Sequence, residues 1–199
     1  MENLIVYIDR QHSGKPARPT DRGAGVDIDG DGRIAAEERE AIFTAKIAVA
    51  LEIILLNAGA TVIPISDGSY KDRHTRVNAY SNSFQGDAIQ CYLALHLNAG
   101  GGSYAAFFHH HASLSGEKLA AILARKMEEA LPVTGGKAIP ASSGDWTKNA
   151  YATIRGVGRP VAICCEPLFM DTHVHLLNDN GMQSIATAIA QGLKDWMEG

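Results

Sequence analysis

Short apolar runs, several of them unbroken, alternate along this chain with stretches of helical periodicity, and no other feature constrains its fold as tightly. Residues 4–8, 61–65, 88–97, 104–111 and 161–169 read as strands. A strand that is apolar at every position is covered on both faces, as in a parallel sheet with helices above and below it. Residues 35–57, 73–83, 117–131 and 184–197 read as helices, and Gly59 follows the first, where a helix C-terminal glycine belongs. The expectation is an α/β fold with a largely parallel twisted sheet flanked by helices on both faces. At 199 residues the chain suffices for one well-buried domain, residues 1–199, and hardly for two. Residues 11–25 and 132–146 are polar, contain prolines and glycines, and resist assignment. Long connections of that kind inside a compact domain are more often functional than idle.

Charge and cysteine usage exclude several classes. A net charge of −4 provides no broad basic field, so no nucleic-acid partner is expected. Cys91, Cys164 and Cys165 all sit in apolar runs and read as reduced core residues, with no Cys-x-x-Cys pattern for a structural zinc. The opening MENLIVYID lacks a basic lead and is too short an apolar run for a signal peptide, so it reads as the first strand. Lys46 and Glu52 interrupt the apolar stretch 42–56, which makes it a buried helix and leaves no membrane span.

The segment DIDGDGRIAAEE, residues 27–38, has the spacing of a twelve-residue calcium loop. Asp27, Asp29 and Asp31 would supply carboxylates, Arg33 its backbone carbonyl and Glu38 a bidentate carboxylate, with Gly32 at the sharp turn and Ile34 at the apolar eighth position. The preceding PTDRGAGV is not helical, so this is an isolated loop feeding one helix, unlike the paired hands of a calcium sensor. Structural Ca2+ is expected there.

In parallel sheets, ligands gather at the carboxyl ends of the strands. His12 follows the first strand, His96 ends the run 88–97, Glu166 lies late in the run 161–169, and Glu37, Glu38 and Glu40 head the first helix. Two histidines and a glutamate can hold zinc through nitrogen and oxygen with a fourth position left for water, and another carboxylate beside that water can act as general base. On the residues alone, hydrogen-bonded strand-end histidines and a surface acid remain the alternative reading, and topology by itself does not favour the metal site over it.

The order of motifs resembles the zinc-dependent N-acetylmuramoyl-L-alanine amidases of the amidase 3 family. IDRQHSG (8–14) stands where that family has Asp-x-Gly-His-Gly, and EAIFTAKIAVALEIILLNAG (40–59) where it has a glutamate heading a long helix closed by glycine. LALHLNA (93–99), PVAICCEPLF (160–169) and IATAIAQGL (185–193) match three further motifs in sequence, so the resemblance runs from end to end. It implies a phosphorylase/hydrolase-like fold, His12, Glu40 and His96 as Zn2+ ligands, and Glu166 as the catalytic carboxylate. It also implies bacterial peptidoglycan as the partner, cut between N-acetylmuramic acid and the L-alanine of the stem peptide. Arg10 and Gln11 depart from the family's Pro-Gly, and IPISDG lacks its Thr-Arg.

Asn98 and Arg159 are candidate substrate contacts, and Trp146 and Tyr151 flank a loop that could cover the site. Without an export signal, the chain reads as a phage-type endolysin, a monomer kept in the host cytoplasm until released to the wall. Rival readings are another zinc amidohydrolase or carboxypeptidase, and a non-catalytic, calcium-dependent wall-binding module. On one continuous helix Glu38 and Glu40 point about 200° apart, so calcium at Glu38 could preorganise zinc at Glu40. In a strand, His109 and His111 share one face and His110 the other, so the three form no single ligand set. His173 and His175 read as loop residues.

Overall fold

The structure, a computed structural model, describes residues 1–12, 21–84 and 86–199. Six strands form one sheet: β1 (Leu4–Arg10), β2 (Thr61–Ile65), β3 (Ile89–Leu95), β4 (Ala105–His110), β5 (Gly136–Ala141) and β6 (Val161–Glu166). They lie in the order β2-β1-β3-β6-β4-β5. All neighbouring pairs are parallel except β4 and β6, so β4 and β5 run against the rest. The five helices are α1 (Glu40–Asn57), α2 (Tyr70–Ser83), α3 (Leu114–Ala130), α4 (Lys148–Ile154) and α5 (Asp179–Glu198). Among the described residues, no helix is long and apolar enough to cross a membrane.

The unbroken apolar runs become the central strands. Leu4, Val6 and Ile8 of β1 and Cys91, Leu93 and Leu95 of β3 join a core with α1, α3 and α5, while Ile5, Tyr7, Tyr92 and Ala94 face the other layer, with Val77 of α2 and Ile154 of α4. Every one of those strand residues is buried, as the alternation of Cβ directions across a doubly covered sheet requires. Burial pushes the thiols of Cys91, Cys164 and Cys165 up, which leaves them unreactive core residues.

Several elements differ from the sequence expectation, among them the short helix α4, which no periodicity announced. The unassigned segment 132–146 contains β5, whose GKAIPA lacks a β-branched run and carries Pro140; the strand sits at the sheet edge, where a missing N–H is tolerated. Residues 35–57 are not one helix: Ala36–Glu38 forms a 3-10 turn, Arg39 is extended (φ −96°, ψ 146°), and α1 begins at Glu40. β4 stops at His110, so His111 leaves the strand and its ring stacks on His110 with centroids 4.5 Å apart, instead of sharing a face with His109. His109 is buried on the α3 side. His173 is buried too, its Nδ1 on the Phe169 carbonyl at 3.1 Å.

Candidate functional site

The carboxyl edge of β1, β3 and β6 is where the polar groups collect. Asp9 is wholly buried near the end of β1, directly after the apolar run Leu4–Ile8. Arg73 of α2, equally buried, donates to Asp9 Oδ1, to the Arg10 carbonyl at 3.0 Å and to the Gly68 carbonyl at 3.2 Å. Tyr92 and Gln11 donate to Asp9 Oδ2, the latter at 2.6 Å. Gln11, one of the two departures in the turn, is thus a buried fastening of it. A buried guanidinium with its carboxylate makes sense only when both are paired and hydrogen-bonded in this way.

The turn delivers His12 with φ 60°, a left-handed conformation uncommon outside glycine and often found at working sites. Its Nδ1 meets Asp21 Oδ1 at 2.8 Å, so its Nε2 faces the site, 3.2 Å from Glu40 Oε2 and 3.2 Å from His96 Nδ1. His96 is the first residue past β3, and its Nδ1 lies 2.9 Å from Glu40 Oε1. Glu40 opens α1 and also accepts backbone N–H bonds from Leu97 and Ala24, both at 3.0 Å. Burial pushes its carboxyl up, but hydrogen bonds from His12 and His96 and their charge outweigh burial and hold it well below the usual carboxylate range. Gly23 (φ 74°) lets the chain pass directly over this carboxylate: a Cβ there would run into Glu40 Oε2 and stand 2.8 Å from His12 Cδ2.

His12, Glu40 and His96 thus present one ligand atom each, all within 4.8 Å of one another. Two imidazole nitrogens and a carboxylate are a zinc donor set, and the Asp21 contact on the far nitrogen of His12 is the usual support for a ligating histidine. The residues present therefore fit the metal. Glu166, at the end of β6, lines the same cavity of about 810 Å³, with Ser69, Tyr70 and Asp72 of the α2 start and Asn149 and Thr153 of α4 on its far wall. Burial pushes the Glu166 carboxyl up, the charge of His96 opposes this, Glu40 adds to it and Asn98 opposes it; the net direction is upward. Burial also pushes Tyr70 up to about 12, which keeps its phenol protonated in the cavity wall.

The other candidates divide. Asn98 lines the cavity and donates to Glu166. Arg159 is not brought to it: it precedes β6 at the opposite edge of the sheet, where its Nη2 donates to the Gly86 carbonyl at 2.8 Å. Its position before the first residue of the strand, rather than after the last, decides this. Trp146 is exposed and packs edge-on to Phe108 at 5.9 Å, and Tyr151 lies against His110 at 5.4 Å, so neither lines the cavity. Asp21 and Gly23 escaped sequence reasoning because they lie in a polar, aperiodic segment. The acid that follows the apolar run 4–8 directly was the available signal for the Asp9 network.

In the loop 27–38, Asp27, Asp29 and Glu38 converge within 4.8 Å, while Asp31 Oδ1 accepts from Arg33 N at 2.8 Å and stands outside that trio. Glu38 accepts from Ile28 N at 2.6 Å and Ala35 N at 2.7 Å, and these donors, Ala35 first, hold its carboxyl below the usual range. An isolated antiparallel bridge between Gly25 and Arg39 closes the loop, with Val26 N on the Glu38 carbonyl (3.3 Å) and Glu40 N on the Ala24 carbonyl (2.8 Å). Glu38 and Glu40 are therefore separated by an extended residue and not by rotation about one helix, which replaces the 200° expectation.

A family model described as N-acetylmuramoyl-L-alanine amidase matches residues 6–195. Among solved structures, the chain is similar to the N-acetylmuramoyl-L-alanine amidase AmiC2 of Nostoc punctiforme, with 17% identity, TM-score 0.72 and coverage of 99% of this chain and 98% of that one. It is also similar to an N-acetylmuramoyl-L-alanine amidase from Clostridium difficile 630, with 20% identity, TM-score 0.74 and coverage of 100% and 99%. The catalytic domain of the CD27L endolysin targeting Clostridia Difficile shares the fold at 17% identity, TM-score 0.64 and coverage of 96% and 97%. No curated protein matches the chain by sequence.

Proposed function

The chain belongs to the N-acetylmuramoyl-L-alanine amidase family, and from that premise we propose a zinc-dependent enzyme with His12, Glu40 and His96 as metal ligands and Glu166 as catalytic carboxylate. Its class of reaction is hydrolysis of the peptidoglycan amide joining N-acetylmuramic acid to L-alanine. The observation that carries the metal assignment is the convergence of His12 Nε2, His96 Nδ1 and the Glu40 carboxylate beside a second, half-buried carboxylate in the same cavity.

Bound zinc supplies Lewis-acid polarisation of the scissile carbonyl and makes a water acidic enough to attack near neutral pH. Asp21 fixes the tautomer and ring direction of His12, and the backbone of Leu97 and Ala24 fixes both oxygens of Glu40. Glu166 accepts the proton of the attacking water as the carbon–oxygen bond forms. It returns that proton to the alanine nitrogen as the carbon–nitrogen bond breaks, leaving a lactyl carboxylic acid and a free amine, which at neutral pH become carboxylate and ammonium. In the metal-free protein burial holds the Glu166 carboxyl above its usual range, the direction that makes a carboxylate more basic toward the proton it takes.

The test is mass spectrometry of peptidoglycan digested by the wild type and by Glu166→Gln, each with zinc content measured. Stem peptides with a new alanine amino terminus, lost in the variant, support the reading. Cleavage at another amide favours the rival amidohydrolase or carboxypeptidase. Wall binding without any product by the zinc-loaded wild type favours the binding module.

The proposal extends to Ca2+ held by Asp27, Asp29, Asp31, the Arg33 carbonyl and Glu38, supported by the spacing of those residues and the convergence of three of them. Because the closing hydrogen bonds of that loop run through Glu38 and Glu40, calcium removal is expected to lower thermal stability and zinc affinity together. An Asp29→Ala, Asp31→Ala double variant with unchanged zinc affinity would overturn the coupling. The setting proposed is that of a monomeric endolysin that reaches the wall from the cytoplasm once the membrane is opened. The fold shared with the endolysin domain supports it.

A further inference from the structure

We infer that Asn98 is a positioning residue for Glu166: its side-chain amide aims and holds the catalytic carboxylate. The inference rests on the reading of Glu166 as the proton carrier.

The backbone around Asn98 is pinned from both sides. Asn98 N donates to the Leu168 carbonyl at 2.9 Å, and Met170 N donates to the Asn98 carbonyl at 2.8 Å, a single parallel bridge that ties the exit of β3 to the exit of β6. Beyond it, Asp171 Oδ2 accepts from Gly100 N and Gly101 N, both at 2.8 Å. The ring of Phe169 fills the space that a side chain at position 102 would need.

Within this frame the orientation of the amide follows from chemistry. Ala99 N lies 2.8 Å from one terminal atom of the Asn98 side chain. A backbone N–H can only donate, so that atom is the carbonyl oxygen, and the NH2 group faces Glu166 Oε2. A neutral donor aimed at a carboxylate favours the ionised, proton-accepting form and fixes which oxygen is left for the water. The bond to Glu166 takes one of the two N–H donors of that amide and the bond from Ala99 N one of its two acceptor positions, so the side chain is held at both ends in the pose that faces the carboxylate.

The test compares wild type, Asn98→Ala and Asn98→Asp on a muropeptide of defined structure. Asn98→Asp keeps the size and the acceptor for Ala99 N but cannot donate when ionised. Expected for both is a fall in kcat on the order of ten- to a hundred-fold with KM within about twofold of wild type. In the Glu166→Gln background, Asn98→Ala brings no further loss. A rise in KM with kcat held, or losses that multiply in the double variant, would overturn the inference in favour of substrate binding.

A second readout is independent of activity. The Tm changes of Asn98→Ala and Glu166→Ala, each of which removes the contact, are expected not to add in the double variant when measured on metal-free protein. Additive changes would overturn the contact. A wild type that releases no alanine-terminated stem peptides would instead refute the amidase reading, with the Tm cycle still deciding the contact.

Discussion

Substituting Gly23 by alanine separates the two things a glycine can do near this site. Gly23 and Gly32 have nearly the same backbone, φ 74° and φ 84°, but only Gly23 has neighbours: a Cβ there would meet Glu40 Oε2, with Glu40 Cβ and His12 Cδ2 both at 2.8 Å, whereas nothing lies within 4 Å of one at Gly32. Placing alanine in the left-handed region costs roughly 1–2 kcal/mol at either position. At Gly23 the Glu40 carboxylate must also retreat, and it loses the hydrogen bond from Ala24 N (3.0 Å), a charged-acceptor bond that contributes roughly 1.5–3 kcal/mol. The sum is about 2.5–5 kcal/mol for Gly23→Ala against about 1–2 kcal/mol for Gly32→Ala. At about 2–4 °C per kcal/mol for a domain of this size, Tm should fall roughly 5–20 °C in the first variant and 2–8 °C in the second. The sharper measurement is zinc affinity by competition with a chromophoric chelator. Gly23→Ala displaces a ligand and is expected to weaken binding by about tenfold or more, a loss typical of disturbed ligand positioning. Equal Tm losses and equal zinc affinities in the two variants would refute the claim that Gly23 is set by the closeness of Glu40.

Asp21→Asn, which loses the carboxylate on His12 Nδ1, is expected to weaken zinc binding about 10- to 100-fold, read by the same competition. Glu166 is held above its ordinary range by burial, so the folded state binds its proton more tightly than the unfolded chain. The stability this contributes is present below the unfolded pKa and lost as pH rises through the folded one; metal-free Glu166→Gln should therefore gain Tm over wild type progressively across that window, and a constant difference from acid to neutral pH would contradict the assignment. Arg159→Ala, at the far edge of the sheet, is expected to leave kcat/KM within about twofold, as surface changes remote from a site do.

The architecture was legible without coordinates wherever burial is written in consecutive residues. LIVYI and YLAL admit only a doubly covered strand, and strand polarity then places His12, His96 and Glu166 at one edge by chain direction alone. β5 and α4 were not legible, because an edge strand with a proline and a seven-residue helix carry too little periodicity to stand out. What folding alone decided is how these ends are joined. Asp21 reaches His12 across nine residues of chain, Arg73 reaches Asp9 across 64 and Asn98 reaches Glu166 across 68. Such pairings leave no local pattern in a sequence. They exist because a packed sheet brings several strand ends to one edge, where buried polar groups must find partners or destabilise the fold. The chain order therefore specified which residues could meet, and tertiary packing determined which of them orient the others.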